Sequence, residues 1–194
     1  MKKLVFATHN KHKASEINNL LGGLYEIREL DAIGISEDIP EDGDTLEANA
    51  REKAHYVYDR TGFDVFADDT GLEVEALGGR PGVITARYAG DECDSVKNMK
   101  KLLAELEGQQ NRRARFRTII CLIMNGVEHT FEGVVNGTIT NSFSGTEGFG
   151  YDPVFMPDGC NRTFAEMSMD EKNKISHRAL AVGKLVGFLQ EKKS

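Results

Sequence analysis

Two adjacent carboxylates, Asp68 and Asp69, stand at the end of the apolar run Val65-Phe66-Ala67 and are followed by Thr70-Gly71. Neighbouring carboxylates repel each other unless a cation or a proton offsets the charge. Magnesium meets that need: it prefers carboxylate oxygens, keeps some of its waters and bridges substrate phosphates. Glu41, Asp42, Asp44 and Glu47 offer further acids. A turn using Asp and Gly for backbone reasons would account for the same residues. Metal binding is favoured because the preceding strand anchors the pair at a sheet edge, where ligands collect.

Three other segments have types suited to an anionic ligand. Thr8-His9-Asn10-Lys11-His12-Lys13 lies between an expected strand and helix. Backbone N–H groups and the positive helix end favour phosphate there, Thr8 and Asn10 add hydrogen bonds, and Lys11 and Lys13 add charge. The glycines of a Walker motif are missing, and an N-capped helix with solvated lysines is the plainer alternative. Gly145-Thr146-Glu147-Gly148-Phe149-Gly150-Tyr151-Asp152-Pro153 combines close-approach glycines with two aromatics able to stack on a base; the alternative is a tight loop with its rings turned inward. Glu171 to Arg178 brings Ser176, His177 and Arg178 as donors to a helix start, where a solvated run is the common meaning. No segment decides alone, but together they describe a nucleotide site. No GxSxG elbow and no matching Cys/His context supports a serine hydrolase or cysteine protease.

The elements that must position these residues follow from periodicity. Leu4 to Ala7 reads as a buried strand, and Ala14, Ile17 and Leu21 mark one face of a helix that Gly22-Gly23 ends. Tyr25 to Leu30 alternates as a second strand. After the acidic loop Ser36 to Asp44, Asp44 is the expected N-cap of a helix presenting Leu46, Ala50, Ala54 and Val57. Val65 to Ala67 is a short strand, Leu72 to Ala76 alternates, and Gly78 to Gly82 is a loop. Val96, Met99, Leu103 and Leu106 announce a helix. Phe116 to Met124 and Val127 to Ile139 flank Asn125-Gly126, a preferred hairpin turn. Ile175, Ala179, Val182, Val186 and Leu189 mark the last helix. Helices and strands alternate early and a long hairpin follows, which predicts an α/β fold with a mixed sheet flanked by helices, in a single domain over residues 1–194.

A net charge of −7 argues against broad nucleic-acid binding. The apolar run after the basic start stops at Thr8, short of a secretory signal, and no stretch reaches membrane-spanning length. Three cysteines, Cys93, Cys121 and Cys160, have no CxxC spacing. A disulfide framework or zinc site is not expected, and a cytoplasmic protein without membrane partners is.

Several of these segments also carry a family resemblance. Phe6 to Lys13 with Glu16, Ala67-Asp68-Asp69-Thr70-Gly71-Leu72, Leu77-Gly78-Gly79-Arg80-Pro81-Gly82, Ala86-Arg87-Tyr88-Ala89-Gly90, Gly148 to Pro153, and Glu171-Lys172-Asn173 with Ser176-His177-Arg178 resemble the inosine/xanthosine triphosphate pyrophosphatases. Order and spacing match from near residue 4 to near residue 190. Many members have glycine at His12, where a positive φ would strain histidine.

The resemblance implies a long twisted mixed β-sheet flanked by helices, two lobes with a central cleft, and a homodimer. It implies hydrolysis of ITP, dITP and XTP to the monophosphate and pyrophosphate, cleansing the nucleotide pool. Magnesium would be held by Glu41 and Asp69, with Asp68 as a further candidate, and Asp69 would be the general base, kept ionised by the metal. Thr8, His9, Asn10, Lys11, His12, Lys13 and Thr70 would hold the triphosphate, Lys13 as the main clamp. Phe149, Gly150, Tyr151, Asp152, Lys172, His177 and Arg178 would meet the rest of the substrate: Phe149 stacks on the purine, Lys172 adds a polar contact, and N–H groups of His177 or Arg178 meet the 6-keto oxygen. The rivals are a pyrophosphatase for pyrimidine or modified nucleotides, a nucleotide sensor without turnover, and a structural partner protein, which leaves the motifs unexplained.

Overall fold

The computed structural model describes residues 2–21, 23 and 25–192. Its strands are β1 (Lys3–Phe6), β2 (Glu26–Glu29), β3 (Val65–Val74), β4 (Arg113–Met124), β5 (Val127–Ile139) and β6 (Phe155–Pro157); its α-helices are α1 (Lys11–Leu21), α2 (Leu46–Thr61), α3 (Ser95–Glu105), α4 (Met169–Lys172) and α5 (His177–Glu191). One six-stranded sheet has the order β2-β1-β3-β4-β5-β6. β1 runs parallel to β2 and β3, whereas β5 and β6 are antiparallel, so the sheet is mixed. Asn125 and Gly126 both take positive φ at the β4–β5 turn, as a type I′ hairpin requires. No described helix is long and apolar enough to cross a membrane.

The chain divides into two compact units: Met1–Asp69 with Thr118–Gly133 and Arg178–Ser194, and Thr70–Arg117 with Val134–His177. In the first, alternation along the strands feeds two cores. Leu4, Phe6, Phe66, Ile120 and Leu122 pack with Ile17 and Leu21 of α1 and Ala181, Leu185 and Leu189 of α5. Val5, Ala7, Val65, Ala67, Ile119 and Cys121 turn the other way, onto Leu46, Ala50, Ala54 and Val57 of α2. Pairing of Phe6 with Phe66 stacks their rings at 4.6 Å, which fixes which face each later residue of β3 presents. The second unit has its own core, in which Leu72, Val74, Met99, Leu102, Phe116, Phe155 and Phe164 meet.

Several boundaries differ from the sequence expectation. Thr45, not Asp44, caps α2, its hydroxyl accepting from Ala48 N–H at 3.0 Å; both residues are good caps, and the extended backbone at Thr45 decides. Asp68 to Gly71 is no turn: β3 continues through it to Val74, because polar residues can stay in a strand where side chains compensate them. Val96 is 47% exposed; it lies in the first turn of α3, while Met99 and Leu106 are buried as expected and Leu102 is buried with them. Ile175 precedes α5, which starts at His177. Gly22, expected to end α1, lies outside the described residues. His12 sits inside α1, and positive φ among described non-glycine residues occurs at Cys93 and Asn125, so histidine meets no backbone strain there.

Candidate active site

Alternation along β3 sends Asp68 and Asp69 to opposite faces of the strand. Asp68 follows Phe66 onto the α1/α5 side. Its Oδ1 accepts from Lys13 Nζ at 3.1 Å and its Oδ2 from Arg178 Nε at 3.2 Å. Arg178 also donates through Nη1 to Glu16 Oε2. Asp69 follows Ala67 onto the α2 side. There Asn49 Nδ2 donates to its Oδ2 at 3.1 Å, and Lys53 Nζ lies 3.6 Å from Oδ1 while donating to Glu41 Oε1 at 2.5 Å. Residue type and spacing did not separate the two aspartates, and only the family resemblance favoured Asp69 as the base; the strand places them on opposite faces.

Their electrostatics separate as well. Burial opposes ionisation of Asp68, yet Lys13, Arg178 and Lys53 together hold its carboxyl well below the usual range. At Asp69 burial leads and Glu41 adds to it, so the pKa is raised in spite of Lys53, Lys13 and the Asn49 hydrogen bond. The expectation of a lowered value at Asp69 concerned a metal-loaded site; in the protein alone the shift is upward. Burial lowers the Lys13 pKa, with Lys53 and Arg178 adding to the effect against Asp68. Oppositely shifted neighbours of one chemical type mark different tasks.

Among the described residues no group of three or more His, Cys, Asp or Glu could hold a metal by itself. Magnesium commonly takes one or two carboxylates and completes its shell with water and phosphate, and Glu41 and Asp69 are two acids of the kind that could hold it. Glu41 and Asp69 converge on the Lys53 ammonium, which is 2.5 Å from Glu41 Oε1 and 3.6 Å from Asp69 Oδ1. Asp68, by contrast, is already bound by two cationic side chains.

The segment before α1 is an N-capped helix. Asn10 Oδ1 accepts from the N–H groups of His12 (3.0 Å) and Lys13 (3.2 Å), and Thr8 Oγ1 from that of Asn10 (3.1 Å). Two helix-end N–H groups, expected to point at a phosphate, are thus engaged by the cap. Lys11 and His12 are exposed, and His9 Nε2 meets the Glu37 carbonyl at 2.9 Å. Thr70 is half-buried.

The second unit gathers a different set. Lys172 and Asp152 are both buried and paired at 2.7 Å. Asp152 Oδ2 also accepts from Phe149 N–H at 3.0 Å. A Cβ on Gly148 would stand 2.1 Å from that oxygen, and φ there is +72°, so the loop needs glycine at this position; Gly150 also has positive φ. Lys172 Nζ lies 4.9 Å from the Phe149 ring centre and 5.6 Å from that of Phe164. A Ser168/Glu171 capping box starts the short helix that carries Lys172. Tyr151 is turned inward, its hydroxyl donating to the Thr85 carbonyl at 2.7 Å, whereas Phe149 stays half-exposed. Buried His177 stacks on Phe116 at 4.6 Å.

Comparison with known proteins gives the chain's family. The family model described as the Ham1 family matches residues 4–188. The chain belongs to the Ham1 family. This Ham1-family chain is 54% identical over 190 residues to a Porphyromonas gingivalis protein named dITP/XTP pyrophosphatase, covering 97% of this chain and 98% of that one. It is 50% identical to a Flavobacterium psychrophilum protein of the same name, covering 97% and 99%. The solved Ham1 protein of Staphylococcus aureus superposes with a TM-score of 0.90 at 35% identity, over 98% of this chain and 100% of that one. A HAM1 protein from Coxiella burnetii gives 0.91 at 36%, with the same coverage.

Sequence reasoning about this Ham1-family chain missed Asn49 and Lys53. Both are buried polar residues on α2, four apart, beside the apolar Ala50 and Ala54. A Lys and an Asn bordering the buried face of a helix, next to an expected acidic strand end, were the available signal. Thr85 was also missed: its hydroxyl accepts from Leu72 N–H at 2.9 Å and donates to the Gly82 carbonyl at 2.5 Å. A lone Thr in a loop motif carries no such signal.

Proposed function

We propose that this Ham1-family chain hydrolyses deaminated purine nucleoside triphosphates, namely dITP, ITP and XTP, to the monophosphate and pyrophosphate. Relatives about 50% identical over nearly their whole length bear the name dITP/XTP pyrophosphatase. The observation that carries the mechanism is the split between Asp68 and Asp69.

Asp69 is the general base for the attacking water. Asn49 fixes its Oδ2, which assigns proton uptake to Oδ1. Glu41 and Asp69 would hold magnesium, which would supply positive charge for the phosphates. Lys13, set by Asp68, faces the triphosphate as a cation of fixed position. Asp68 is kept ionised by Lys13 and Arg178 and positions both. Arg178 was expected to read the base; its Nε and Nη1 are engaged by Asp68 and Glu16, and we assign it to positioning. In the second unit, Phe149 provides a face for stacking and Lys172 a donor for the 6-keto oxygen, a contact that the amino group of adenine cannot accept. The protein works in the cytoplasm as a homodimer, by analogy with the family.

The test is pyrophosphate release from dITP, ITP, XTP, dATP, GTP and dTTP, with magnesium and with EDTA. Strong release from the deaminated purines, lost in EDTA, is expected. Release confined to dTTP would point to a modified-pyrimidine enzyme, and ITP binding without release to a sensor.

A further inference from the structure

The face of α2 beside its apolar stripe carries Asn49, Glu52, Lys53 and Tyr56, spaced i, i+3, i+4 and i+7. Such residues line up along one side of a helix. Each of the four holds the acidic loop that precedes the helix, in reverse order of sequence. Asn49 Oδ1 accepts from Gly43 N–H at 2.8 Å, and Glu52 Oε2 from Asp42 N–H at 3.0 Å. Lys53 Nζ donates to Glu41 Oε1 at 2.5 Å, and Tyr56 Oη to Glu37 Oε1 at 2.9 Å. His9 grips the same loop from the other side, at the Glu37 carbonyl. The Arg60 guanidinium covers the Tyr56 ring at 3.4 Å.

Apart from the three-residue 3₁₀ turn Asp31–Ile33, the chain from Leu30 to Thr45 has no regular structure. Backbone hydrogen bonds of a sheet or helix therefore do not locate Glu41. The stripe does. Asn49 bonds both the loop at Gly43 and the carboxylate of Asp69, so a single amide ties the loop to the strand that carries Asp69. A Cβ on Gly43 would meet Ala48 Cβ at 2.7 Å and Asn49 Oδ1 at 2.8 Å, which shows how closely the loop is drawn onto the helix.

We infer that Glu52 and Tyr56 are positioning residues: through their bonds to the loop at Asp42 and Glu37 they hold the Glu41 carboxylate where it can share a divalent cation with Asp69. This rests on the proposed function only in naming the cation. Groups that orient a metal ligand commonly change metal affinity about 10-fold or more when removed, whereas they touch neither substrate nor the reacting water.

The experiment compares Glu52→Ala, Glu52→Gln and Tyr56→Phe in the full chain. The magnesium concentration for half-maximal dITP hydrolysis is expected to rise about 10-fold in E52A and Y56F. The rate at saturating magnesium should stay within about twofold, and E52Q, which keeps an acceptor for Asp42 N–H, should restore the midpoint. Independently of turnover, exchange of the Asp42 amide hydrogen should quicken in E52A and return in E52Q. Unchanged midpoints in E52A and Y56F, or loss of rate and melting temperature with no change in midpoint, would overturn the inference. A wild-type protein indifferent to EDTA would overturn the functional reading and the metal role together; slow Asp42 exchange would then still identify the grip as purely structural.

Discussion

The first unit places seven charged side chains around β3: Lys13, Lys53 and Arg178 against Glu16, Glu41, Asp68 and Asp69. The second places the buried ion pair Lys172 with Asp152 beside aromatic rings. A crowded set with one acid in excess can take up a cation and a proton, and so can change state during a reaction. A buried pair of opposite charges beside the Phe149 and Phe164 rings offsets its own charge. On the proposed function, it would present a donor and an apolar face to a base. The two units thus carry different electrostatic designs.

The sharpest way to break this contrast is Asp69→Asn, which keeps shape but removes the base. Pyrophosphate release from dITP is expected to fall about 10²–10⁴-fold, with far-ultraviolet circular dichroism unchanged; a loss under fivefold would remove Asp69 from the chemistry. In the second unit, Lys172→Met should leave turnover chemistry intact but lower the dITP-over-dATP preference about 10–100-fold, as expected when a donor matched to one base is removed. Competition between the two substrates in one reaction measures it, and an unchanged ratio would place recognition elsewhere.

Acid should act on the first unit. The folded-state pKa of Asp68 is depressed, so its contribution to stability is fully present above the ordinary carboxylate range near 4 and is lost as pH falls below it. Chemical denaturation between pH 6 and 3 should show this loss, and Asp68→Asn should flatten that limb. A smaller effect is expected from Tyr151→Phe. Losing the bond to the Thr85 carbonyl should cost about 1 kcal/mol of stability, visible as a modest fall in melting temperature. If the hydroxyl also steadies the Phe149–Asp152 loop, KM for dITP rises more than kcat falls.

Much of this was legible beforehand. Hairpin chemistry at Asn125-Gly126, the apolar strand before Asp68 and the spacing of Leu46, Ala50, Ala54 and Val57 were local signals, and they gave the mixed sheet and its helices. Which side chains surround each aspartate was not legible. It depends on the register of β1 with β3, a long-range pairing that sets which face Asp68 and Asp69 occupy, and on Arg178, 110 residues away in sequence. The inward turn of Tyr151 and the outward one of Phe149 likewise depend on Thr85 and Lys172, which no local pattern ties to that loop. The polar α2 stripe was not read at all, because its partners lie in a loop without periodicity.

Thermal melting of Asp68→Asn and Asp69→Asn side by side, at neutral pH without added metal, tests the division most directly. Asp68→Asn leaves Lys13 and Arg178 short of a buried anion and should lose about 3–5 kcal/mol, roughly 6–20 °C. Asp69→Asn removes a carboxylate whose ionisation the fold disfavours, so its melting temperature should equal or exceed that of wild type. Equal losses in the two variants, or the greater loss in Asp69→Asn, would contradict the account.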